Sequence, residues 1–145
     1  MTDLLYLDVN CFQRWFDDQR QVRIQMEAIA CREVFTRLES GELDLVWSFM
    51  HQDEMDLCPF PERQAAMLRL SELCKVRVGP EQTIYDLAET LLQQGPLTAK
   101  DAIHLACAVS SKSVAFLTCD DRLINRAKRV GLDIEIVNPV NFTFR

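Results

Sequence analysis

Leu4-Leu5-Tyr6-Leu7-Asp8 opens the chain with an apolar run that stops on an acid. A run this short, closed by a polar residue, reads as a buried β-strand. The form recurs in Leu43–Ser48, Val76-Arg77-Val78, Val114–Thr118 and Ile134-Glu135-Ile136-Val137. Segments of helical period separate these runs: about Gln21 to Leu38, a short stretch carrying Glu54, Pro61 to about Cys74, Gln82 to Gln94, Thr98 to Ser110, and Asp121 to Val130. Short strands alternating with helices predict an α/β fold with a parallel sheet covered on both faces. In the first long helix Ile24, Ala28, Cys31, Val34, Phe35 and Leu38 recur on one side and should lie on the sheet, and Gly41 is placed to end it in a left-handed cap. The tail from Asn138-Pro139 onward is unpatterned.

The 145 residues, 48% of them hydrophobic, suit one domain over 1–145 with one core. No leader of signal-peptide form and no apolar run of membrane-spanning length is present, so a soluble, cytoplasmic protein is expected. Six cysteines are scattered without a C-x-x-C pair and are expected to pack as reduced thiols rather than to form disulfides or zinc ligands. The net charge of -6 is unusual for a protein that binds a phosphate backbone, but it does not set the potential inside one cleft. Basic residues cluster at Arg122, Arg126, Lys128 and Arg129, with Lys112 upstream. They suit a solvated helix end, and Arg122 and Arg126 are also the candidates for contacts to a phosphate backbone.

Four acids fall where such a fold gathers ligands. Asp8 ends the first strand, Glu54 follows the second, Asp101 opens the helix before the fourth, and Asp120 ends the fourth. In doubly wound sheets the crevice lies beyond the carboxyl ends of the strands at the switch in strand order. Carboxylates crowded there repel unless a cation sits among them, and hard oxygen donors select Mg²⁺ or Mn²⁺. Local roles compete with this one. Thr98 and Asp101 have capping-box spacing, Asp120 is placed to cap the last helix, and Thr118 with Asp121 repeats the spacing, which makes Asp121 a cap candidate. Glu54 is flanked by Asp53 and Asp56 on a helix where acids are mostly solvated. Asp8 resists such an account, because an acid ending a buried strand needs a partner to offset its desolvation. His104, one turn after Asp101, is expected to have no direct catalytic part, and His51 is expected at the surface.

The phrases Leu7-Asp8-Val9-Asn10, Lys100 to Ala108 and Phe116-Leu117-Thr118-Cys119-Asp120 resemble the motifs of PIN-domain ribonucleases, the fold of the VapC toxins and of PilT N-terminus-like proteins. Arg23 to Ala28 and Val137-Asn138-Pro139 extend the resemblance over nearly the whole chain. It implies a three-layer α/β/α fold with five parallel strands in the order 3-2-1-4-5, a Mg²⁺ or Mn²⁺ site, and single-stranded RNA as substrate. The family's carboxylates fall on Asp8, Glu54, Asp101 and Asp120, and its accessory polar positions on Asn10 and Thr118. The family's spacing favours Asp120 over Asp121 and, counted from Ser48, selects Glu54. A homodimer and an antitoxin partner follow from the same resemblance, and Trp15 and Phe16 beside Asp17-Asp18 are apolar enough to suit such a contact. The expected chemistry is hydrolysis of an RNA phosphodiester by in-line attack of a water that the ions activate, with Glu54 a candidate to accept its proton. A catalytically weak PIN-like module that binds RNA or protein is the alternative. A nucleotide-binding domain fits less well, because no glycine-rich loop follows the first strand.

Overall fold

Side chains alternate across a strand, so each apolar run here feeds two cores, one on either face of the sheet. In the computed structural model, which describes residues 2–144, five strands do this: β1 (Asp3–Leu7), β2 (Leu43–Ser48), β3 (Val76–Val78), β4 (Ala115–Leu117) and β5 (Glu135–Val137). They form one all-parallel sheet in the order β3-β2-β1-β4-β5. Leu5, Leu7, Leu45, Trp47 and Leu117 point to one face and Tyr6, Val46 and Phe116 to the other. Central strands buried on both faces are why these runs are apolar throughout rather than alternating.

The first face is covered by α1 (Val9–Gln13), α2 (Val22–Glu39) and α4 (Pro61–Leu73), which contribute Phe12, Val34, Leu38 and Met67. The other is covered by α5 (Gln82–Gln94), α6 (Ala99–Ser110) and α7 (Asp121–Lys128) through Ile84, Leu91, Leu105 and Leu123. The three-layer α/β/α architecture and strand order match the expectation. A short helix, α3 (Phe49–Asp56), leaves the end of β2 and is capped by Ser48, whose side chain accepts from the His51 N–H. Gly41, at φ +80°, ends α2 in the left-handed region that favours glycine.

Three local features depart from the sequence reading. The chain turns into α1 directly after Asp8, followed by a 3₁₀ turn at Arg14–Phe16, in a stretch too short to show helical period. The stripe of α2 carries a buried acid, Glu27, which Arg14, Arg23 and Asn138 satisfy. Asn138, in the unpatterned tail, is therefore buried, and its side chain also caps a 3₁₀ turn at Pro139–Asn141. No helix among the described residues is long and apolar enough to cross a membrane.

Candidate active site

Because β1 is the first strand and lies between β2 and β4, the order of strands reverses beside it. A cleft of about 540 Å³ lies there, with Asp8, Glu54, Asp101 and Asp120 all in its wall. Four acids separated by as much as 112 positions in sequence thus reach one cavity, from the end of β1, from α3, from the first turn of α6 and from the start of α7. A larger groove of about 760 Å³ runs over α2, α7 and β5; its acids, Glu27 and Asp121, are both already paired with arginine.

Asp8 is the centre of a fixed hydrogen-bond set. Its Oδ1 accepts from the Val9 N–H at 2.8 Å, capping α1. Its Oδ2 accepts from the Thr118 hydroxyl at 2.7 Å and from Asn10 Nδ2 at 3.2 Å. Thr118 Oγ1 in turn accepts from Asn10 Nδ2 and from the Asp120 N–H, while Asn10 Oδ1 accepts from the Cys119 N–H. Asn10 and Thr118 therefore clamp the ends of β1 and β4 together. Burial pushes the Asp8 carboxyl above its ordinary value, the charge of Glu54 adds to this, and His104 and the Thr118 bond oppose it.

The other acids keep oxygen atoms for the cleft. Thr98, through its Oγ1, caps α6 by accepting from the Asp101 N–H, so the Asp101 carboxylate is not needed for that task. Asp120 does cap α7, with Oδ1 accepting from the N–H groups of Arg122 and Leu123, which leaves Oδ2 for the cleft it lines. Asp121, expected as a cap, instead forms a two-pronged ion pair with Arg23 at 2.6 and 2.7 Å. Capping requires an extended residue before the first turn, and Asp120 (ψ 104°) holds that place.

Glu54 is bound more tightly than its exposed neighbours predicted. Its Oε1 lies 2.8 Å from His104 Nε2 and 3.1 Å from Lys100 Nζ. Burial pushes its carboxyl up, but these two partners outweigh burial and hold it below its ordinary range. His104 continues inward: Nδ1 is 2.6 Å from the Tyr6 hydroxyl, which is 2.8 Å from Ser48 Oγ. One proton assignment satisfies the whole chain. Ser48 donates to Tyr6, Tyr6 donates to His104, and His104 donates to Glu54.

His51, expected at the surface, is fully buried against Tyr6, Phe12 and Trp47. Its Nδ1 accepts from the Ser48 N–H at 2.9 Å, so Nε2 carries the proton and donates to the Leu7 carbonyl at 2.6 Å. Burial, reinforced by His104, drives its pKa down to about 3. It pins the end of β2 to the end of β1 as a neutral ring.

Arg122 and Arg126 do not line the cleft; its basic groups are Lys100 and Arg63. Arg63 is held by Asp17, by Gln13 and by the Phe16 carbonyl. Gln13 and Arg63 were not singled out from sequence, Asp17 was named only as a neighbour of Trp15 and Phe16, and no spacing links residue 63 of α4 to the turn after α1. Lys100 had a signal, since it directly precedes Asp101 in the first turn of α6.

An all-oxygen donor set with one strongly desolvated carboxylate fits a hard divalent cation. Among the described residues, no three of these acids bring one oxygen each within 4.8 Å of one another. No protein-family model matches the chain, and no curated protein matches it in sequence.

Proposed function

We propose that this chain is a Mg²⁺- or Mn²⁺-dependent endoribonuclease of the PIN type, acting on single-stranded RNA in the cytoplasm as the toxin of a toxin–antitoxin pair. The observation that carries this reading is the meeting of Asp8, Glu54, Asp101 and Asp120 in one cleft at the switch point of the sheet. Asp8, Asp101 and Asp120 would hold the principal ion, with Glu54 directly or through water. When bound, the ion supplies Lewis acidity, making water nucleophilic at neutral pH and offsetting charge on the leaving oxygen.

The protein's own groups do the rest. The clamp of Asn10 and Thr118 keeps Asp8 in one rotamer, so it needs no reorganisation when the substrate arrives. Glu54, held ionised by His104 and Lys100, suits holding positive charge better than taking up a proton. Lys100 and Arg63 bring cations to the cleft for the substrate's phosphates.

The test is cleavage of a single-stranded RNA by purified protein. Activity should require Mn²⁺ or Mg²⁺, vanish in EDTA, and fall by at least about a hundredfold in Asp101→Asn or Asp120→Asn. Cleavage indifferent to chelator would overturn the reading. A second reading, a module that binds RNA or protein without cutting it, is favoured by the Lys100–Glu54 ion pair, which occupies one acid, and by the net charge of -6. It predicts RNA retention with no cleavage under any divalent cation.

A further inference from the structure

Away from the carboxylates, three cysteines from distant parts of the chain meet. Cys11 comes from α1, Cys31 from the middle of α2, and Cys119 from the turn between β4 and α7. Their sulfur atoms all lie within 4.8 Å of one another, and the residues are only 1%, 2% and 7% exposed. None is in a disulfide. Cys74 and Cys107, also buried, belong to no such group and fit the expected part of small hydrophobes. A shared meeting point of three sulfurs is a different arrangement.

We propose that Cys11, Cys31 and Cys119 form a binding site for a soft, thiophilic metal ion of the Zn²⁺ or Cd²⁺ type, separate from the acidic cleft. Thiolate sulfur selects such ions over Mg²⁺ and Mn²⁺. Three sulfurs bonded to one ion at about 2.3 Å stand about 4 Å apart, so the side chains need to close by less than about 1 Å to bind. Cys11 and Cys31 also form part of the wall of a groove of about 550 Å³ lined by Phe12, Phe35 and Leu70. That groove gives the ion an entry path and room for a non-protein fourth ligand. The paired Arg14 and Glu27, 2.9 to 3.0 Å apart, both lie within electrostatic reach of Cys31 and Cys119, the guanidinium favouring thiolates there and the carboxylate opposing them.

The placement gives the ion a structural task. Cys11 follows Asn10 and Cys119 precedes Asp120, and the Cys119 N–H already bonds Asn10 Oδ1 at 3.1 Å. An ion on all three sulfurs would tie α1, α2 and the turn before α7 together directly behind the carboxylates. This inference does not rest on the ribonuclease reading.

Titration of the reduced full chain with Cd²⁺ tests it. A sulfur-to-metal charge-transfer absorption should grow and saturate at one ion per chain, with a rise of several degrees in melting temperature. Cys31→Ser should abolish both. Cys107→Ser, Cys58→Ser and Asp101→Asn should leave both intact, which separates this site from the cleft. Should Cys31→Ser fail to fold, the parent protein still answers: stoichiometric Cd²⁺ should protect Cys11 and Cys31 from alkylation, read by peptide mass mapping. No charge-transfer band, a band that survives Cys31→Ser or disappears with Cys58→Ser, or unprotected thiols would each overturn the proposal and leave three thiols packed as hydrophobes.

Discussion

At the scale of single residues, His51 shows how an exposed-looking side chain becomes essential to the core. It sits between Met50 and Gln52 on a short helix, and nothing in that neighbourhood signals burial. Only the fold reveals it, because α3 leaves β2 at an angle that drops the ring between two strand ends. The ring must stay neutral, since its pKa is about 3 when folded and near 6.5 when unfolded. Protons therefore bind the unfolded chain more readily. The stability this group contributes is complete above about 6.5 and is lost as pH falls from there toward 3. His51→Phe keeps the aromatic packing but orphans the Ser48 N–H and the Leu7 carbonyl, which should cost about 2 to 4 kcal/mol at neutral pH. Because Phe does not titrate, the gap between parent and variant should narrow between pH about 7.5 and about 5 in urea melts. A gap independent of pH would mean that the buried ring is not kept neutral.

At the scale of elements, the strands and the long helices were legible because their signals are local: a run of apolar residues, a period, a cap. Asp8, Glu54, Asp101 and Asp120 were placed from those elements together with the family resemblance, and the structure brings all four to one cleft. What escaped was set by contacts across the fold. Asp121 could be separated from Asp120 as a cap only through backbone angles, and the partner of each cysteine in the thiol cluster lies at least 20 residues away in sequence. Gly95 is another case. Its backbone is extended, at φ -161°, so any residue fits locally, yet an added Cβ would lie 2.6 Å from Cγ2 of Val130. The turn joining α5 to α6 thus packs directly on the segment after α7. Gly95→Ala should destabilise by about 1 to 3 kcal/mol, and combining it with Val130→Ala should recover part of that loss. Purely additive effects in thermal melts would show that the close approach is not the cause.

At the scale of the whole molecule, the outer face of α2 carries Val22, Met26 and Ile29 at 69%, 50% and 60% exposure, four and three residues apart and so on one side. Val22 and Met26 also line the larger groove, with Ile124 and Val140. Trp15, offered from the sequence as a contact residue, is exposed as well, under a cation–π contact from Arg32. Water-facing apolar side chains in this number support self-association, and we predict a homodimer. Light scattering at tens of micromolar should give twice the chain mass, and Met26→Glu with Ile29→Glu should reduce it to the monomer. A parent protein that is monomeric at that concentration would rule the dimer out.

The clamp between Asp8 and Thr118 spans 110 residues, and its strands are neighbours at the centre of the sheet. Closing so long a segment comes at an entropic cost met before the contacts it permits can form. A ribosome that has made the first strand must add more than a hundred residues before the acids of that strand and of β4 can face one another. Until then the chain has a partial sheet and no assembled cleft. Whatever the cleft does, it cannot begin before Asp120 has been made: the order of the strands delays the site long after its first acid is in place.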